Sequence, residues 1–170
     1  MKNTFALCAF ILAFPLLSCQ KSNDGENNPA SLAPKIEGKW RWVQSVIQLK
    51  FDDGTEHNVT VNGEPGDFIE LDYTNRLADG SGDSGKIITG VNGEQTEGVW
   101  QLYDKDNRLN VLYQNPKAHV YRKVESVDAN RLVLTAADNM VVDQYTDNEL
   151  GEIGDKKLVG GSVYEEYSKQ

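Results

Sequence analysis

The sequence predicts an all-β domain, an antiparallel up-and-down β-barrel of about eight strands, with a β-sandwich as second choice. Three observations carry that expectation. Short segments rich in Val, Ile, Tyr, Trp and Leu recur from Gly38 onward, with no long stretch of helical period. Clusters of Gly, Asp and Asn separate them, including two copies of Val-Asn-Gly-Glu beginning at Val61 and Val91. Such short polar links join neighbouring antiparallel strands. Within the segments apolar and polar residues alternate, most cleanly in Trp100/Leu102, Leu109/Val111/Tyr113 and Leu132/Leu134, the pattern of strands with one face on a core and one in water.

The first strand is expected over 39–51, ended by the turn Asp52-Asp53-Gly54-Thr55. Trp40 and Trp42 share one face, because strand side chains alternate. Val43, Ile47 and Leu49 fall on the other, so a bulge or bend near Gln44 is needed to return them all to one interior. Further strands are expected over 57–61, 67–73, 86–91, 96–103, 108–113, 118–127 and 131–136, with a last one over 162–167. The irregular insertion 138–161 interrupts this rhythm before the last strand. Its residues leave open a lid, a short helix or a strand extension.

The segments before the domain set its address. Lys2, an apolar run from Phe5 to Leu17 and a polar sequel read as a secretory signal peptide over 1–18, too short and wrongly flanked for a membrane span. Its end, Leu16-Leu17-Ser18-Cys19, resembles the bacterial lipobox, which implies cleavage before Cys19 and lipid attachment (diacylglycerol, with palmitate-type acylation) to it. The only other cysteine, Cys8, lies inside the leader, so the mature chain forms no internal disulfide, and a lone exported cysteine is accounted for by the lipid. Residues 19–35 are rich in Ser, Asn, Asp, Glu and Pro with Leu32 as their one large apolar side chain. They bury too little surface to order themselves and read as a tether. The domain proper is then 36–170, the size of one compact unit. The formal net charge of -9 argues against nucleic acid and against electrostatic adhesion to anionic lipid.

Gly38-Lys39-Trp40 at the entrance of the first strand matches the GxW signature of lipocalins, whose tryptophan packs across the closed end of the barrel. The stretches Asp67-Phe-Ile-Glu-Leu-Asp-Tyr73, Gly98-Val-Trp-Gln-Leu-Tyr-Asp-Lys-Asp-Asn-Arg-Leu-Asn-Val-Leu-Tyr113 and Arg122-Lys-Val-Glu-Ser-Val-Asp-Ala-Asn-Arg-Leu-Val-Leu-Thr-Ala136 resemble the strand series of bacterial lipocalin-like lipoproteins of the Bacteroidota type. The resemblance covers most of the chain after Ile36. It implies that Gly38 and Trp40 close the barrel; if the barrel holds a ligand, Trp42, Trp100, Leu102 and Leu109 are its candidate pocket, with core packing the favoured reading of Trp42 and Trp100. It also implies a lipid-anchored protein of the bacterial cell envelope, in the outer membrane, on either the periplasmic or the surface face. The chain departs from the pattern in lacking a disulfide from the C-terminal region to the barrel and in carrying the long insertion before the last strand.

Catalysis has little to stand on. The two histidines, His57 and His119, come with no HExxH spacing, and neither a GxSxG elbow nor a phosphate-cradling loop is present. Glu70 and Glu97 lie in predicted strands and read as solvent-facing carboxylates rather than an acid–base pair. Asp79, Ser81 and Asp83 in Asp-Gly-Ser-Gly-Asp-Ser-Gly present oxygens at alternate positions like the start of a calcium loop. Ser84 then stands where glycine is required and Gly90 where the closing glutamate would be, so a flexible hairpin loop is the favoured reading. No cofactor and no metal are expected.

The expectation is a lipid-anchored, non-enzymatic barrel that binds a small apolar or amphipathic ligand. The alternative is a packed barrel that holds a protein or glycan partner through its loops. With Cys19 as the sole attachment, Cys19→Ser should move the protein from the membrane fraction to the soluble one and remove the acyl mass; a variant that stays membrane-bound contradicts the anchor.

Overall fold

The computed structural model describes residues 31–115, 117–147, 152–153 and 156–170. The expected leader, Cys19 and most of the tether lie outside the described residues. In chain order the elements are α1 (Ala33–Ile36), β1 (Gly38–Phe51), β2 (Glu56–Asn62), β3 (Phe68–Arg76), β4 (Gly82–Val91), β5 (Glu94–Tyr103), β6 (Arg108–Gln114), β7 (Lys117–Val127), β8 (Arg131–Ala137), α2 (Asn139–Asp147), β9 (Glu152–Ile153) and β10 (Lys156–Lys169). Every pairing is antiparallel. The neighbours run β1-β3-β4-β5-β6-β7-β8-β10, and β10 pairs back onto β1, which closes an eight-stranded barrel. Among the described residues no helix is long and apolar enough to cross a membrane.

β1 holds the wall together. Gly38 to Arg41 pair with β3, Gln44 to Lys50 pair with β2, and the opposite edge pairs with β10 from Trp40 to Phe51. The register against β10 shifts between Trp42 and Gln44, leaving Val43 as the extra residue of a bulge. The bulge switches the alternation: Trp40 is buried below it, and Ser45, Leu49 and Phe51 are buried above it. This is the phase correction that the sequence demands of β1.

One expected strand lies outside the wall, and two strands begin earlier than expected. β2 lies outside the closed wall, on the flank of β1, with six of its seven residues exposed; Val59 and Val61 are its only apolar side chains, too few to serve as barrel wall. β4 begins at Gly82 rather than at Lys86, so the second half of the expected flexible loop is strand. β10 begins at Lys156 rather than at Ser162, so the insertion contributes α2, β9 and the first six of the fourteen residues of the last strand. Gly160 and Gly161 mimic a turn in the sequence but sit within the ladder, opposite Lys50 and Leu49.

Two cores result. The lower one gathers Trp40, Leu71, Trp100, Leu102, Val124 and Leu132 with Ala33 and Ile36 of α1. The upper one places Val141 of α2 against Leu49, Phe51, Leu158 and Val163. The floor is built locally. The Trp40 indole Nε1 donates to the Ile36 carbonyl at 2.7 Å, and the Lys169 ammonium lies 4.1 Å from the Trp40 ring centre while donating to the Glu37 carbonyl at 2.6 Å. Gly38 has φ +110°, and a Cβ there would meet Lys169 Nζ at 2.5 Å, so the entry to β1 requires glycine.

Gly85 of β4 performs the same service for Trp100. A Cβ at position 85 would lie 1.8 Å from the Asp72 carbonyl oxygen and 2.7 Å from the Trp100 ring. Gly85→Ala should therefore cost about 2 kcal/mol or more, read as a lowered denaturation midpoint; an unchanged midpoint contradicts this packing of the floor.

Candidate functional site

Above the floor the interior opens. A cavity of about 200 Å³ lies at the height where β1 resumes its alternation after Val43. Inward positions of successive strands form its wall: Ile87 and Thr89 on β4, Leu109, Val111 and Tyr113 on β6, Val120 and Arg122 on β7, Leu134 on β8, and Glu165 and Tyr167 on β10. Trp42 and Phe68 complete it on the side of β1 and β3. The alternation that exposes one face of each strand to water thus gives the other to the cavity.

Of the four pocket residues expected from the sequence, Trp42 and Leu109 line this cavity. Trp100 and Leu102 do not: both are fully buried in the floor beneath it. Gly38 and Trp40 lie at the closed end, as described above.

The polar groups of the cavity are paired with one another. The Arg122 guanidinium, buried at 5% exposure, holds Glu165 in a two-pronged ion pair, Nε to Oε2 at 2.9 Å and Nη2 to Oε1 at 2.7 Å. The bridge passes from β7 to β10 inside the barrel, past the inward Leu134 of β8. Nη1 donates to the Tyr121 carbonyl at 2.8 Å and to Gln144 of α2, which ties the helix to the barrel. Tyr167 donates to Glu165 Oε2 at 3.3 Å, Trp42 Nε1 donates to Ser45 Oγ at 3.0 Å, and the hydroxyls of Thr89 and Tyr113 lie 2.6 Å apart.

Sequence reasoning missed Arg122 and Glu165. A signal was present: Val120-x-Arg122-x-Val124 and Val163-x-Glu165-x-Tyr167 each place one charge in an otherwise apolar inward row, and the two charges are opposite. A lone inward charge is costly, and a complementary pair is its usual resolution.

The other candidate residues lie elsewhere. His57 and Glu97 are exposed, and Glu70 is cross-strand from Ile88 on the outer face. His119 contacts Tyr121 on the outer side of β7. The Asp79–Asp83 stretch is committed to the protein. Asp79 accepts from the Ser81 amide at 2.9 Å and the Ser81 hydroxyl at 2.7 Å, and buried Asp83 pairs with Arg76 at 3.2 Å and accepts from Ser31. Arg76 also holds Asp104 and donates to the Gly80 carbonyl at 2.7 Å. These contacts pin Ser31, the first described residue, to the floor. Among the described residues no group of three or more His, Cys, Asp and Glu side chains is arranged to hold a metal ion.

Comparison with protein-family models, with curated proteins and with solved structures finds no match.

Burial raises the Tyr167 phenol well above its ordinary value of 10.0, and the neighbouring Glu165 carboxylate pushes it in the same direction. A raised native value means that the folded state holds the proton more firmly than the unfolded one. The associated stability is fully present below about pH 10 and is lost as pH rises through the native value. Tyr167→Phe should therefore flatten the alkaline fall in stability, measured by urea unfolding on both sides of pH 10; an identical fall in the variant contradicts the burial of this hydroxyl.

Proposed function

We propose that this chain is a lipid-anchored protein of the bacterial cell envelope whose lipocalin-like barrel carries a small apolar or amphipathic ligand and performs no chemistry on it. The observation that carries the reading is the apolar cavity above a solid floor, walled by Trp42, Phe68, Ile87, Val111 and Leu134. Binding sites are typically concave and apolar with a few fixed polar groups, and here the polar groups are Ser45, Thr89, Tyr113, Tyr167 and the Arg122–Glu165 pair. The tether would join the barrel at its floor, through Ser31, and so leave the cavity unobstructed.

Size sets the scale of the ligand. A cavity of about 150 Å³ accepts benzene, so about 200 Å³ suits a short chain or a small ring, with longer molecules projecting toward solvent. Burying about six methylenes would contribute about 5 kcal/mol, a dissociation constant of a few tenths of a millimolar, before any hydrogen bond.

Native mass spectrometry of the purified protein should show a carried-over small molecule, and apolar ligands should change the tryptophan fluorescence saturably, since Trp42 faces the cavity. Trp42→Ala should weaken binding about tenfold by removing one wall, while Trp40→Ala should chiefly lower stability, by about 3–5 kcal/mol. If nothing co-purifies and no titration saturates, the carrier reading fails and a partner-binding module takes its place.

A further inference from the structure

We infer that the cavity selects an uncharged aliphatic molecule bearing a single hydroxyl or carbonyl oxygen, and discriminates against the corresponding carboxylate. This rests on the carrier reading above and specifies the ligand class.

Two ionised side chains line the cavity, Arg122 and Glu165, and they neutralise each other through two hydrogen bonds of 2.9 Å and 2.7 Å. The guanidinium Nη1 donates to the Tyr121 carbonyl and to Gln144. Arg122 is therefore not poised to receive a fatty carboxylate: an anion entering here would have to break the internal pair and displace Glu165, or sit beside Glu165 with no cation of its own. An ionised carboxylate stripped of water without a partner is among the most costly groups to bury. The pair instead closes one side of the cavity as a neutral polar wall.

Thr89 and Tyr113 carry one hydroxyl each, 2.6 Å apart. Two protons are present and the mutual bond uses one. Whichever hydroxyl donates, the pair retains one O–H for an acceptor oxygen on a ligand, together with lone pairs for a ligand hydroxyl. Burial raises the Tyr113 phenol above its ordinary value of 10.0, so it remains a protonated donor at neutral pH. An apolar chain against Ile87, Val111 and Leu134, with one oxygen at Thr89 and Tyr113, meets the donor that this hydroxyl pair retains.

A matched pair differing only in charge tests this: 1-octanol and octanoate at neutral pH, titrated by calorimetry and tryptophan fluorescence into the full chain carrying Cys19→Ser. Octanol should bind at least about tenfold more tightly, given the cost of dehydrating an unpaired carboxylate. Tyr113→Phe should weaken octanol binding severalfold by removing the retained donor. Glu165→Gln removes the carboxylate that holds Arg122 in the two-pronged pair, and should raise octanoate affinity. If octanoate matches or exceeds octanol in the parent protein, the inference is overturned and the carrier reading stands; if neither ligand saturates, both fall. Should Glu165→Gln fail to fold, the parent comparison alone decides.

Discussion

One extra residue in β1 governs what this barrel can be. β1 must present Trp40 inward at the floor, Trp42 inward at the cavity and Leu49 and Phe51 inward near the top, and strict alternation over an odd separation forbids it. The bulge at Val43 resolves the conflict. Without it either the floor or the upper core would turn toward water, because a one-residue slip moves every side chain to the opposite face. The same switch lets β1 pair with β3 below and β2 above while β10 follows its whole other edge. Trp42 and Ser45, the residues that flank the switch, are joined by a hydrogen bond and face the cavity.

The interior is thereby divided by height. Below, large side chains interlock with glycines that make room for them, as Trp100 does over Gly85. Above, the same inward rows carry smaller or hydroxylated residues and two charges, and a cavity remains. The Arg122–Glu165 pair is a costly item in such a place, since both partners give up water. Its bidentate geometry and its links to Gln144 and Tyr167 offset that cost, and they connect α2, β7 and β10 across β8. An apolar replacement of similar volume would pack as well, so the pair's distinctive contribution is a neutral polar wall and a fixed position for α2.

Much of this was legible in the sequence. Strand rhythm, polar turns and the phase slip around Gln44 announce an antiparallel barrel and its bulge, because alternation is imposed by backbone geometry at every residue. Height along the barrel axis is a different matter. Trp42 and Trp100 both point inward, and nothing in alternation says that one borders a cavity while the other lies beneath it; that depends on how adjacent strands are staggered. Glu165 is 43 residues from Arg122, and each sits beside a like charge, Glu166 and Lys123, that faces outward, so the inward member is masked by its neighbour. β2 forms where a strand is expected but is too polar to enter the wall, and the early start of β10 is hidden because its two glycines resemble a turn.

The central claim is that the barrel holds an accessible apolar cavity above a solid floor. Crystals of the protein under xenon pressure test it most directly, since xenon occupies apolar cavities and leaves filled interiors untouched. The account predicts xenon among Trp42, Ile87, Val111 and Leu134, and none around Trp40, Trp100 and Leu102. An interior without xenon at the upper site, or with xenon only in the floor, would contradict it.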